Sequence, residues 1–146
     1  MRGIDFFREF LRDPTQTGAV MPSGQQLCRL LAQTAGVPEA KVVLEFGTGT
    51  GVVTREIARQ LPGDGRFIGI EINPEMAKAT QALCADVEVV NRNAADAPEI
   101  LRERGFESCD CIVSGLPWAS FPEALQDELL QGAVTALRPG GRFVTF

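Results

Sequence analysis

An acid, three alternating glycines and a second acid about 20 residues downstream are the residues of this chain best spaced for ligand chemistry. The first group is Glu45-Phe46-Gly47-Thr48-Gly49-Thr50-Gly51 and the second is Glu71-Ile72. Glycine has no Cβ, so the backbone can turn tightly there and approach a ligand closely. Glu45 suits an ammonium group, and Glu71 suits a pair of hydroxyl donors. The chain contains no histidine or tyrosine. A general base would therefore have to be a carboxylate or a water, unless the reaction needs none.

These residues need elements to hold them. Val42-Val43-Leu44 is an apolar, β-branched run that reads as a buried strand, and Val52 to Ala58 reads as a helix. Strand, glycine turn and helix together form the nucleotide-binding corner of open α/β sheets. A phosphate-cradling loop would need Gly-Lys-Ser/Thr, and Gly51 is followed by Val52. A dinucleotide loop would need its third glycine where Val52 stands. The pattern that remains is an acid followed by alternating glycines, which a turn serving packing alone would also show.

Further along, Arg66 to Glu71 reads as a second strand ending in an acid, and Asn73-Pro74 as the cap and first residue of a helix through Met76, Ala77 and Leu83. Val87 to Val90 is a third strand. Asn93 follows it, where the fold presents a polar side chain to an adenine ring. Asp96 reads as the cap of a helix from Ala97, with Glu99 completing the box. Cys109 to Ser114 is a fourth strand, adjacent to the first in such a fold. It leads into Gly115-Leu116-Pro117-Trp118, a loop that either borders a reacting group or closes the site as an apolar lid. A last helix opens at Ser120 to Glu123, with Leu125, Leu129, Leu130, Val134 and Leu137 inside. Arg138 to Gly141 is a turn into a fifth strand, Arg142 to Phe146. Near the N-terminus, Ser23 and Gln26 form a capping box for a helix to about Ala35, with Leu27, Leu30, Leu31 and Thr34 inward. That helix could close over a cofactor. Residues 3 to 12 form an amphipathic helix with Ile4, Phe6, Phe7, Phe10 and Leu11 on one side. It either packs on the body of the domain or lies on a bilayer.

The 146 residues suffice for one core. No apolar run approaches the roughly 20 residues a membrane span needs. A net charge of −5 opposes binding a nucleic acid through its phosphates. Cys28, Cys84, Cys109 and Cys111 lack zinc-type spacing and read as reduced, buried residues of a cytosolic protein. No metal site is expected.

Six stretches together resemble the bacterial phospholipid N-methyltransferases. They are residues 6–14, 18–23 and 45–51, Glu71-Ile72-Asn73-Pro74, Ser114-Gly115-Leu116-Pro117, and residues 137–143. Residues 45–51 alone resemble motif I of the Rossmann-like S-adenosylmethionine-dependent methyltransferases. That cofactor has no phosphate to grip, and its ammonium wants an acceptor such as Glu45. The resemblance implies a three-layer α/β/α sandwich with a mostly parallel sheet in the order 3-2-1-4-5, later strands being absent from this chain. Residues 1–36 would be amphipathic and lid helices, and residues 37–146 the methyltransferase domain. Glu45, Phe46, Gly47, Thr48, Gly49, Gly51, Glu71, Ile72, Asn93, Ala94 and Ser114 would surround S-adenosylmethionine. Ser114, Gly115, Leu116, Pro117 and Trp118 would border the amine of a phosphatidylethanolamine-type lipid or of a small molecule, with no base assigned. The protein would be cytoplasmic and would meet the inner membrane face through residues 3–12. An exposed sheet edge could pair two copies. A more distant similarity is to the ribosomal RNA adenine dimethyltransferases, but Gly115 replaces the asparagine with which they hold the base. A cofactor-binding module without catalysis, and an NAD-binding domain, are the other readings.

Overall fold

The computed structural model describes residues 24–146; the amphipathic segment 3–12, the loop before Pro22 and Ser23 lie outside the described residues. The strands are β1 (Val42–Phe46), β2 (Arg66–Ile70), β3 (Glu88–Val90), β4 (Cys109–Ser114) and β5 (Leu137–Thr145). They make one sheet in the order β3-β2-β1-β4-β5, and every neighbouring pair is parallel. The order is the expected one.

β1 is buried along its whole length, because it lies at the centre of a sheet covered on both faces. The strand period of two then sorts its side chains. Val42, Leu44 and Phe46 enter one core with Ile100, Leu101, Leu125 and Leu129. Those partners belong to α4 (Ala97–Glu103) and α5 (Glu123–Ala136). Val43 enters a second core with Leu31, Val53 and Ile57, from α1 (Gln25–Ala35) and α2 (Val52–Gln60). α3 (Pro74–Leu83) links β2 to β3. α1, read above as a lid, packs on the sheet face beside α2, β4 and β5.

Several local expectations are corrected. Gly24 stands at the N-cap of α1 with no side-chain cap, and the expected Ser23–Gln26 box involves Ser23, outside the described residues. Cys28, Leu31, Ala32 and Ala35 are the buried face of α1, while Leu27 and Leu30 are exposed. In α5 the buried residues are Leu125, Leu129, Gly132, Ala133 and Ala136, and Leu130 and Val134 are exposed. The phase of α5 is set by Gly132, where a Cβ would meet the Ala95 carbonyl at 2.8 Å. Such close backbone approach turns that glycine inward and its apolar neighbours outward. Leu83 of α3 is also exposed. Arg138 to Gly141 is not a turn before the last strand but part of β5, which shifts register between Cys109 and Cys111 and bends at Gly140, φ +79°.

Asp110 fastens the lower end of the sheet. Its Oδ2 accepts from the Lys41 and Val42 N–H groups, both at 2.8 Å, and its Oδ1 accepts from Arg138 Nε at 2.7 Å. Burial alone would raise this carboxyl. The donors from Val42, Arg138 and Lys41 outweigh it and hold the group below its usual range.

Candidate functional site

The site is built at the upper, carboxyl ends of β1, β2 and β4. After Phe46 the chain turns through Gly47, Gly49 and Gly51, whose φ values are +76°, +54° and +87°. A side chain there would strain the backbone. A Cβ on Gly47 would also meet Leu116 Cδ2 at 2.7 Å. Gly47 N–H donates to the Ile70 carbonyl at 2.8 Å, drawing the corner across the end of β2. Gly51 then starts α2 from the left-handed region. Thr80 on α3 holds the middle of the corner: its hydroxyl donates to the Gly49 carbonyl at 3.1 Å and accepts from Thr48 Oγ1 at 3.3 Å.

Glu71 reaches this corner. Its Oε1 accepts from Gly49 N–H at 2.8 Å and its Oε2 from Asn73 N–H at 3.0 Å. Burial raises its pKa, against the lowering effect of the donors from Asn73, Gly49 and Ile72. Asn73 caps α3 as expected, accepting from the Glu75 and Met76 N–H groups.

Glu45 does not share that position. It is 1% exposed and follows Leu44 on the strand, so it falls on the Val43 face, against α2. There Thr54 Oγ1 donates to its Oε1 at 2.5 Å. Burial pushes the carboxyl up to about 8, the Thr54 bond lowers it and the nearby Glu71 raises it further. At neutral pH it keeps its proton.

Asn93 also has a structural partner. Its Oδ1 accepts from Ala95 N–H at 2.9 Å, capping a short 3₁₀ turn, Ala94–Asp96. This corrects the expected cap: Asp96 precedes α4 without a side-chain bond. Ala94 is buried, and Ile72 packs partly buried against the same core.

The loop after β4 closes the other side. Gly115 N–H donates to the Phe46 carbonyl at 2.8 Å, and a Cβ on Gly115 would meet the Gly47 carbonyl at 2.9 Å. The loop therefore lies directly on the glycine corner, and no asparagine fits at 115. Ser114 is fully buried. Its Oγ accepts from Leu116 N–H at 3.2 Å and from Trp118 Nε1–H at 2.9 Å.

Glu71, Gly47, Thr48, Gly49 and Ser114 to Trp118 are thus brought together, Gly51 heads α2 beside them, and Glu45 lies behind the corner. Thr54, Thr80 and Asp110 were missed. No spacing rule marks a threonine inside a helix as a partner of a loop two elements away. Among the described residues no three His, Cys, Asp or Glu side chains converge as a metal site, and the four cysteines are buried and free. No described helix is long and apolar enough to cross a membrane.

A parallel sheet whose order reverses beside β1, with a glycine corner and an acid at the switch, defines the Rossmann-like class of nucleoside-cofactor folds. Residues 43–141 match the methyltransferase domain family. An ornithine lipid N-methyltransferase from Singulisphaera acidiphila is 36% identical over 141 residues, 94% of this chain and 73% of that protein. A catechol O-methyltransferase from Niastella koreensis is 31% identical over 128 residues, 84% of this chain and 54% of that protein. The crystal structure of the O-methyltransferase TomG from Streptomyces achromogenes, in complex with S-adenosylmethionine, superposes with a TM-score of 0.68 at 25% identity. It covers 85% of this chain and 56% of TomG. The chain thus spans little more than half of the last two. It belongs to the class I S-adenosylmethionine-dependent methyltransferases.

The corner fits that cofactor. Gly47 and Gly49 bring no side chain of their own to it, Glu71 Oε1 accepts from its Gly49 N–H, and residues 45–54 include no lysine or arginine.

Proposed function

We propose that the chain methylates the amine of a lipid headgroup of the phosphatidylethanolamine type. The supporting observation is the 36% identity, along 94% of the chain, to an enzyme named for N-methylation of an ornithine lipid. Glu71 would hold the ribose hydroxyls, and Gly47, Gly49 and Asn93 would frame the rest of the cofactor, with Phe46, Thr48, Gly51, Ile72, Ala94 and Ser114 around it. Glu45, buried behind the corner against Thr54, would brace the corner rather than meet the cofactor's ammonium. S-adenosylmethionine, when bound, supplies a sulfonium methyl that an amine lone pair displaces, the C–S pair leaving on a neutral thioether and the amine proton going to water.

The chain's own part is alignment and exclusion of water. The loop at Gly115 and the corner at Gly47 are in contact, so an amine on the loop side is held within reach of the methyl. Such alignment supplies several kcal/mol of the barrier. In the same reading, residues 3–12 dock on the cytoplasmic membrane face, and an edge of the sheet pairs with a second copy.

The test is transfer of radiolabelled methyl from S-adenosylmethionine to vesicles containing phosphatidylethanolamine or ornithine lipid, beside catechol and RNA adenine acceptors. Label in the lipid amine is the expected result. Label only in an oxygen acceptor or in RNA overturns the acceptor. Normal cofactor binding with no acceptor labelled makes the chain a binding module.

A further inference from the structure

In α3, Ala77 and Thr80 are the buried residues. A buried threonine inside a helix ordinarily satisfies its hydroxyl on a carbonyl one turn back in the same helix. Thr80 spends its hydroxyl elsewhere. Its Oγ1 donates to the Gly49 carbonyl at 3.1 Å, 31 residues away along the chain, and accepts from Thr48 Oγ1 at 3.3 Å. The direction of this relay is forced, because a carbonyl only accepts and each hydroxyl carries one proton. Thr48 therefore donates to Thr80, and Thr80 to Gly49.

Thr48 is committed in the same direction. It is buried, and a Cβ on Gly69 would meet its Cγ2 at 2.7 Å. Its methyl is thus seated on bare backbone of β2, and its hydroxyl is taken by α3. The two peptides that flank Gly49 are held from different elements. Its N–H donates to Glu71 Oε1 at the end of β2, and its carbonyl accepts from Thr80. A trans peptide sets its N–H opposite its carbonyl. With the Gly49 carbonyl on α3, the Thr50 N–H points away from that helix, and none of the described residues accepts from it.

We infer that Thr80 is a positioning residue for the cofactor. Through the Gly49 carbonyl it fixes the corner in its binding shape before the ligand arrives, and the side chain of Thr48 acts on the cofactor only through Thr80. The inference rests on the placement of S-adenosylmethionine at this corner. It adds to the site a helix residue that touches no ligand atom, and such pre-organisation strengthens binding by reducing what must be ordered on association.

The full chain would be compared with Thr80→Val, Thr80→Ser and Thr48→Val, by calorimetry with S-adenosylhomocysteine and by initial rates on phosphatidylethanolamine vesicles. Thr80→Val keeps the shape and removes the hydroxyl. It should weaken S-adenosylhomocysteine and raise the KM for S-adenosylmethionine about three- to tenfold, the range of one hydrogen bond. kcat should hold, since the loss falls on ground state and transition state alike. Thr80→Ser restores the oxygen and should bind like the parent. Thr48→Val should cost less than Thr80→Val, and the double variant no more than Thr80→Val alone; a weaker double variant overturns the role given to Thr48. Asp110→Ala, which loosens the far end of the sheet, controls for lost stability and should keep the parent's affinity. The inference fails if Thr80→Val binds as the parent does, if Thr80→Ser is as weak as Thr80→Val, or if Asp110→Ala is weakened equally. Hydrogen exchange of the ligand-free parent tests it without a variant: the Gly49 amide should be protected, and exchange at the rate of an unstructured peptide overturns the pre-formed corner. Glu71→Gln separates the inference from the reading beneath it. If Glu71→Gln binds like the parent, the cofactor is not at this corner and both fall. If Glu71→Gln is weakened and Thr80→Val is not, only the role of Thr80 falls.

Discussion

Glu45 makes the stability of this protein fall as pH rises from 5 to 8. The chain has no histidine, so the side chains that titrate in this window are carboxyls with raised pKa. In the folded state Glu45 sits near 8 against an ordinary 4.5 because it is buried. Between these values the folded chain keeps a proton that the unfolded chain has released. Stability then declines with pH at up to about 1.4 kcal/mol per pH step. It is fully present below 4.5 and levels off above 8. Over the whole interval the ceiling is about 5 kcal/mol, a large share of the 5–15 kcal/mol typical of a domain.

Glu71 is also raised by burial and adds a slope of the same sign. The lowered groups Glu56, Glu88 and Asp110 lose their contribution only as pH falls through their folded values, outside this window. The decisive comparison is therefore the parent against Glu45→Gln. That substitution keeps the shape and the Thr54 hydrogen bond but cannot ionise. Urea unfolding at half-unit intervals from pH 5 to 8 measures it. The parent should lose several kcal/mol more than Glu45→Gln over that range, and Glu45→Gln should be the more stable of the two at pH 8. Parallel curves would refute the reasoning, because they would mean that Glu45 is as well solvated in the fold as out of it.

Two further outcomes follow from the hydrogen bonds. Glu71→Gln loses the charge that receives Gly49 and Asn73 N–H; calorimetry should show S-adenosylhomocysteine binding weakened at least about tenfold, since hydrogen bonds to a charged group contribute about 1.5–3 kcal/mol each. Asp110→Ala leaves the Lys41 and Val42 N–H groups and Arg138 without their acceptor; chemical denaturation should show a loss of about 2–3 kcal/mol, while cofactor affinity at the opposite end of the sheet changes little.

What the sequence made legible was local and periodic. The β-branched run at Val42, the Asn73-Pro74 cap and the alternating glycines each state their own geometry within a few residues, so the corner could be read directly, whereas the strand order came from the family resemblance. The helix faces were harder. Leu130 and Val134 look like core because they are apolar, yet Gly132 decides the phase by letting Ala95 come close, and a glycine carries no hydrophobic signal. The 138–141 stretch looked like a turn because Pro-Gly-Gly turns are common, whereas pairing with Cys109 and Cys111 drew it into the strand. Glu45 was expected at the cofactor because of its place in the motif. The strand period instead puts it behind the corner with Thr54, a partner nine residues away on another element.

The position of the site follows from topology, and its choice of acceptor does not. β1 sends its crossover to one face through α2, and β4 sends its own to the other through α5, so the crevice must open above the pair they form. One wall is the glycine corner and the other is the loop at Gly115. In the proposed reading the corner holds S-adenosylmethionine, the cofactor common to the class. It therefore cannot be what separates a nitrogen acceptor from an oxygen one. In the proposed reading that difference lies in the second wall, where a Cβ on Gly115 would meet the Gly47 carbonyl and Ser114 Oγ accepts from the indole of Trp118. Exchanges in residues 114–118 should consequently change which acceptor is methylated while leaving cofactor binding in place, and exchanges at Gly47 or Gly49 should abolish every acceptor together.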